Sequence, residues 1–170
     1  MGVLTVHLDR VENLKDDDGI GTLSIRMLII TDFAKHPSLW ISPLHSFILF
    51  NHTPSGKSDP YVKFYLEQDN MVFDKGYGKM ESSKKKNELN PVYGETFTFE
   101  DVPGLNNMVL HVTIKDDDIG RDEKLGDCKF KLEGMDLSSD PVEVSQVVDR
   151  KGLGLLRKHA KIYLKLSWTE

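Results

Sequence analysis

Apolar and polar residues alternate strictly in six stretches of the chain. In the first stretch, Leu4, Val6 and Leu8 occupy one side of an extended backbone, and Thr5 and His7 occupy the other. Successive side chains of a β-strand point to opposite faces, so this pattern predicts strands that bury one face. The apolar positions of the other five stretches are Val62, Phe64 and Leu66; Phe97 and Phe99; Leu110, Val112 and Ile114; Cys128, Phe130 and Leu132; and Ile162, Leu164, Leu166 and Trp168. The pattern predicts an all-β protein.

Turn-forming pairs separate these stretches, and they include Asp18-Gly19, Asn90-Pro91, Pro103-Gly104, Ile119-Gly120 and Asp140-Pro141. Short strands joined by polar turns are typical of an antiparallel sandwich. The less regular stretch 142–158 predicts one more strand followed by a loop. Residues 21–55 follow neither the strand nor the helix period, although they contain apolar runs such as Phe47–Phe50.

Composition favours a soluble globular domain. Of 170 residues, 39% are hydrophobic and 29% are charged, a balance that supports a packed core. The single cysteine, Cys128, excludes an internal disulfide, and no apolar run approaches the ~18 residues of a membrane-spanning helix. These features predict one domain in a reducing, cytoplasmic setting.

The net charge of −5 is unevenly distributed. Nine acidic residues fall in two groups, Asp16, Asp17, Asp18 and Asp59 in the first and Asp116, Asp117, Asp118, Asp122 and Glu123 in the second. A hard cation such as Ca²⁺ takes 6 to 8 oxygen ligands, so it needs carboxylates that converge from separate loops. Each group follows a predicted strand or lies near its end, and neither matches the spacing of an EF-hand loop. The two groups therefore predict a calcium site, and nucleic acid is not an expected partner.

Three motifs, in order, resemble the C2 domain of synaptotagmins, protein kinase C and plant membrane-sensor proteins. They are Gly56–Phe64 with its Ser-Asp-Pro-Tyr element, Leu89–Phe99, and Lys115–Asp118 followed by Leu125–Asp127. The resemblance covers 1–20 and 56–170. It implies a single domain over 1–170, an eight-stranded antiparallel Greek-key β-sandwich of the family's second circular topology. Residues 21–55 then form an insertion in loop 1.

The resemblance also implies a calcium ligand set drawn from loops 1 and 3. Asp59, Asp116 and Asp118 match three ligand positions by motif. A further loop 3 ligand is expected at Glu123, where the family usually has Asp, and Asp122 is the alternative. When 21–55 is left out, Asp18 falls at the family's spacing for the remaining loop 1 ligand.

A C2 domain of this kind docks on anionic membrane when calcium is bound. Ile20 in loop 1 and Ile119 in loop 3 are then candidate membrane-inserting tips. The lysines expected to bind lipid headgroups are Lys79, Lys84, Lys85 and Lys86. Phosphatidylserine is the expected lipid, with phosphoinositides as a weaker expectation, so the protein would be cytoplasmic and peripheral to the membrane.

Two other functions are compatible with the sequence. A calcium-independent C2 domain that binds protein partners is favoured if the 21–55 segment displaces Asp18. A hydrolase that uses paired carboxylates is a remote alternative, because no nucleophile elbow, phosphate-binding glycine loop or paired His and acid is present. We therefore expect a binding module and not an enzyme.

Overall fold

A computed structural model describes residues 1–14, 58–70, 73–118, 122–149 and 159–170, and these residues form eight strands. The strands are β1 (Gly2–Glu12), β2 (Pro60–Gln68), β3 (Lys75–Glu81), β4 (Val92–Val102), β5 (Met108–Asp116), β6 (Glu123–Lys131), β7 (Val142–Val147) and β8 (Lys161–Thr169). The all-β fold predicted from the sequence is confirmed. The predicted 21–55 insertion lies outside the described residues.

The strands form two antiparallel four-stranded sheets. One sheet has the order β4-β1-β8-β7 and the other has the order β3-β2-β5-β6. Strand β1 pairs along its length with β8, from Val3 opposite Thr169 to Glu12 opposite Lys161. The first and last strands therefore lie side by side, as the predicted topology requires.

The core between the sheets consists of the alternating apolar positions. Leu4, Val6 and Leu8 of β1 are fully buried, as are Leu110 and the other inward residues of β5. Burial of a side chain of this size stabilises a fold by about 1.5–3 kcal/mol, so these positions account for the sandwich. Within the described residues, no helix is long and apolar enough to cross a membrane.

Strand β3 shows no apolar alternation and is exposed over most of its length. It is a strand because it pairs with β2, from Lys63 opposite Glu81 to Gln68 opposite Lys75. Gly78 has a φ of 135°, and a Cβ there would lie 3.4 Å from the Phe99 ring. The backbone conformation requires a glycine, since it alone adopts this φ without strain, whereas the distance to Phe99 is an ordinary van der Waals contact.

The order of β2, β5 and β6 brings acidic residues to one end of their sheet. β2 begins at Pro60, directly after Asp59, and Pro60 pairs with Asp116 at the end of β5. Asp116 in turn pairs with Glu123 at the start of β6. Three acidic residues separated in sequence, Asp59, Asp116 and Glu123, therefore lie at the same end of this sheet, which we call the acidic edge.

Candidate metal centre

Asp59 and Asp116 are the central pair of this acidic edge. The backbone amide of Asp59 donates a hydrogen bond of 2.6 Å to Oδ1 of Asp116. Asp116 is only 4% exposed, whereas the average aspartate lies at the surface. A buried carboxylate is stable only when it is hydrogen-bonded or paired, and a carboxylate has a second oxygen that can coordinate a cation.

The carboxylate of Asp59 is held by the connection between β3 and β4. The backbone amide of Asn87 donates a 2.8 Å hydrogen bond to Oδ1 of Asp59. Asn87 has a φ of 54°, a left-handed conformation that asparagine tolerates better than most residues. The sequence carried no recognisable signal for this contact, because the donor is a main-chain group.

Loop 3 continues from Asp116 through Asp117 and Asp118. The amide of Asp117 donates to the carbonyl oxygen of Asp59 at 3.2 Å, which ties loop 3 to the residue before β2. The Asp117 side chain lies 2.6 Å from Nζ of Lys84. Asp118 follows as an exposed residue.

The two candidates for the further loop 3 ligand occupy different environments. The hydroxyl of Tyr61 donates a 2.5 Å hydrogen bond to Oδ2 of Asp122. This bond holds the pKa of Asp122 below its usual value, and the positive charges of nearby lysines, Lys115 foremost, act in the same direction. Glu123 is the residue directly opposite Asp116 on the neighbouring strand. Tyr61 belongs to the Ser-Asp-Pro-Tyr motif, but its bond to Asp122 was not predicted.

The predicted lipid-binding lysines lie on and after β3. Lys79 is on the strand, with Nζ 5.1 Å from the centre of the Tyr65 ring. Lys84, Lys85 and Lys86 lie in the connection that follows the strand, and Nζ of Lys85 is 3.9 Å from Oε1 of Glu95. The other predicted site residues, Asp18, Ile20 and Ile119, lie outside the described residues.

The chemistry of the edge suits a hard divalent cation, because its groups are carboxylate oxygens. The hydroxyl of Ser58, next to Asp59, is buried without a hydrogen-bond partner among the described residues, which leaves one more oxygen at this edge unsatisfied. Across the described ranges, no three His, Cys, Asp or Glu side chains are grouped closely enough to hold a metal ion. A full ligand set therefore requires contributions beyond Asp59, Asp116 and Glu123 in their present positions.

The two packed sheets, with acidic residues such as Asp59 and Asp116 at one end, define a β-sandwich module with an acidic end. The family model for the C2 domain matches residues 45–147, which is more than half of the chain. The chain belongs to the C2 domain family. The match begins inside the 21–55 segment and omits β1, although β1 lies in the middle of its sheet.

The curated relatives include synaptotagmins. Synaptotagmin 1 of Drosophila melanogaster is 30% identical over 117 residues, which are 67% of this chain and 23% of that protein. Human Synaptotagmin-10 is 35% identical over 88 residues, which are 51% of this chain and 16% of that protein. The chain thus spans less than a quarter of the length of these relatives.

Solved structures support the same fold. A C2 domain of plant Extended Synaptotagmin 1 aligns with a TM-score of 0.62 at 19% identity, covering 98% of this chain and 93% of that one. The calcium-bound pair of C2 domains of Extended-Synaptotagmin 2 aligns with a TM-score of 0.59 at 19% identity, covering 98% of this chain and 45% of that one.

Proposed function

We propose that this C2 domain is a binding module that docks on anionic phospholipid membranes when calcium is bound between loops 1 and 3. The observation that carries the proposal is the position of Asp59, Asp116 and Glu123 at the same end of the β2-β5-β6 sheet. Carboxylates repel one another unless they are neutralised, so the placement of several acids at one end of the sheet supports a cation site there.

The proposed ligands are Asp59, Asp116, Asp118 and Glu123, with Asp18 from loop 1 and Asp122 as the alternative to Glu123. Bound calcium would supply positive charge against these carboxylates and open coordination positions for a lipid phosphate. The chain's own part is to hold the acids in place: Asn87 and Asp59 donate main-chain hydrogen bonds to two of the carboxylates. This anchoring limits the entropy that the site loses when it is filled.

The proposed membrane contacts lie beside the site. Lys84, Lys85 and Lys86 are in the connection that also holds Asp59, so they flank the acidic edge. A lysine near an anionic membrane contributes about 1 kcal/mol, and Lys79 adds a fourth. Ile20 and Ile119 are the proposed tips that enter the headgroup layer. We expect phosphatidylserine as the main lipid, with phosphoinositides as further ligands, and a cytoplasmic protein that becomes peripheral to the membrane.

Vesicle co-sedimentation tests the proposal. The full chain is mixed with vesicles of phosphatidylcholine alone or with a quarter phosphatidylserine, in millimolar calcium or in EDTA. We expect pelleting only with phosphatidylserine and calcium together. Calcium should also raise the melting temperature without vesicles, because a ligand that binds only the folded state stabilises it by mass action. Binding that is equal in calcium and in EDTA would exclude the proposal.

A second candidate is a calcium-independent C2 domain that binds proteins. The contacts of two loop 3 acids favour this candidate. Asp117 forms an ion pair with Lys84, and Asp122 accepts a hydrogen bond from Tyr61, so both acids have partners within the chain itself. In this case the melting temperature would be the same in calcium and in EDTA, and the acidic edge would be a surface for a basic protein partner.

A further inference from the structure

One lysine of the basic run lies on the acidic edge. Nζ of Lys84 is 2.6 Å from Oδ1 of Asp117, the middle acid of loop 3, although the two residues are 33 positions apart. The same amine lies 5.7 Å from the centre of the Tyr61 ring, whose hydroxyl bonds Asp122. Lys84 therefore contacts loop 3, whereas Lys85 is directed toward Glu95 on β4.

The backbone holds both partners of the ion pair. On one side, the amide of Ser82 donates to the carbonyl of Val62 at 2.9 Å, and the amide of Lys85 donates to the carbonyl of Pro60 at 3.0 Å. On the other side, the amide of Asp117 donates to the carbonyl of Asp59. Most exposed ion pairs contribute little because two mobile side chains must be ordered. Here the main chain is hydrogen-bonded on both sides, so only the side-chain rotamers of Lys84 and Asp117 remain to be ordered.

The charges around Lys84 favour its protonated form. Its hydrogen bond to Asp117 raises the pKa of the amine, and the negative charges of Asp117 and Asp122 act in the same direction. The acidic edge thus already includes the positive charge of Lys84, in addition to that of Lys115 near Asp122. A cation that enters the edge must overcome the repulsion of the Lys84 ammonium group.

We infer that Lys84 is a built-in counter-ion of loop 3, which lowers the calcium affinity of the bare domain and becomes available to a lipid phosphate once the metal is bound. The inference rests on the proposed calcium site and extends it by naming the residue that couples metal and lipid. Coupling between two binding events is reciprocal. If bound calcium raises the affinity for a phosphate that draws Lys84 away from Asp117, that phosphate must raise the affinity for calcium by the same factor.

Calorimetric calcium titration of the wild type, Lys84→Gln and Lys86→Gln tests the effect on affinity. Lys86 is the matched control, because it lies two positions along the same exposed run and its substitution removes the same charge. Without lipid, we expect Lys84→Gln to bind calcium about two- to fivefold more tightly, as removal of a unit charge several ångströms from a divalent ion predicts in a water-like dielectric. Lys86→Gln should change less. Equal affinities of the two variants would overturn the role of Lys84, whereas no calcium binding by any of the proteins would overturn the calcium site and this inference together.

Lysine reactivity provides a readout that does not depend on affinity. The full chain is treated with a dilute acylating reagent in EDTA or in calcium, and the modification of each lysine is followed by mass spectrometry. A paired, protonated amine reacts slowly, so Lys84 should be several-fold less reactive than Lys86 in EDTA and should gain reactivity in calcium. Asp117→Asn should make Lys84 as reactive as Lys86 already in EDTA. If Lys84 reacts as fast as Lys86 in the calcium-free wild type, the ion pair between Lys84 and Asp117 is contradicted.

Discussion

The hydroxyl of Tyr61 donates a hydrogen bond of 2.5 Å to the carboxylate of Asp122, across 61 positions of the chain. Asp122 is thereby engaged with a side chain of β2, while its neighbour Glu123 is opposite Asp116 on the adjacent strand. The two adjacent acids at the start of β6 thus have different surroundings, which leads to different expectations for their roles.

The first prediction ranks these two acids. Glu123→Gln should weaken calcium binding more than Asp122→Asn. Glu123 is the strand neighbour of the buried Asp116, and its replacement by glutamine removes a negative charge that the metal would need. Each variant removes one negative charge from loop 3, so each controls for the general change in charge. Calcium titration of both proteins provides the comparison. A larger loss for Asp122→Asn would identify Asp122 as the ligand.

The second prediction concerns the pKa of Asp122. Tyr61→Phe should raise this pKa toward the usual value of an aspartate, since the hydrogen bond from Tyr61 is the largest cause that lowers it. A lowered carboxyl pKa stabilises the fold above the unfolded-state value near 3.9, and this stabilisation is lost as the pH falls through the folded-state value. The variant should therefore lose stability at neutral pH but less at strongly acidic pH. A side-chain carbonyl titration by NMR measures the pKa directly, with Tyr65→Phe as the control on the same strand.

The third prediction concerns Asp116. Asp116→Asn should weaken calcium affinity by about tenfold or more, because it removes one charged ligand from a shared site. The fold should persist, since the amide oxygen of asparagine can still accept the hydrogen bond from the Asp59 amide. Vesicle co-sedimentation over a range of calcium concentrations checks the loss of affinity, and a thermal melt in EDTA checks that the fold persists.

The control for Asp116 is Asp140→Asn. Asp140 is an exposed acid in the connection after β6, at the opposite end of the sheet from Glu123. Its substitution makes the same change in net charge and should leave calcium-dependent binding intact. Calcium-dependent binding that is undiminished in Asp116→Asn would show that this residue is not a ligand.

The fourth prediction concerns the single cysteine. Cys128 is 7% exposed, and burial raises the pKa of its thiol to about 12. The native protein should therefore resist a thiol reagent at pH 8 and react fully in denaturant, because the reactive species is the thiolate. A raised thiol pKa stabilises the fold fully below the unfolded-state value near 8.5 and progressively less as the pH rises toward 12. Rapid modification of the native protein would contradict the buried placement.

The fifth prediction concerns residues 21–55, which we propose to be an insertion into loop 1, such as a translated intron. The described residues on either side end close together, because the amide of Leu14 bonds the carbonyl of Leu89 and the carbonyl of Ser58 accepts from the amide of Glu88. A short connection can therefore replace the segment. Its deletion joins Ile20 to Gly56 and restores the family spacing between Asp18 and Asp59.

The shortened protein should fold with an undiminished melting temperature and keep calcium-dependent binding to phosphatidylserine vesicles. Parallel expression of both forms measures solubility, melting temperature and vesicle binding. Lower solubility, or the loss of a lipid binding that the full chain possesses, would show that 21–55 is a working part of the protein, for instance an anchor that faces the membrane.

The sequence by itself determined the sandwich and its acidic edge. Alternation with a period of two is a local property, so positions such as Leu4, Val6 and Leu8 identify a buried strand face without knowledge of its neighbours. The motif around Asp59 and the acids from Asp116 onward were likewise readable in place. Strand β3 was not predicted by alternation, because an exposed edge strand needs no apolar face and is defined by its pairing with β2.

Only the tertiary structure decided which groups contact the acids. Three contacts join residues that are far apart in the sequence. They are the Asn87 amide with Asp59, 28 positions apart, the Tyr61 hydroxyl with Asp122, 61 positions apart, and the Lys84 amine with Asp117, 33 positions apart. Such contacts depend on strand register and on the path of the β3–β4 connection, and a shift of one residue would turn each side chain to the other face of the sheet. From the sequence, Lys84 was one of four lysines assigned to lipid. Its distance to Asp117 distinguishes it from the other three, because charges interact according to their separation in space and not in sequence.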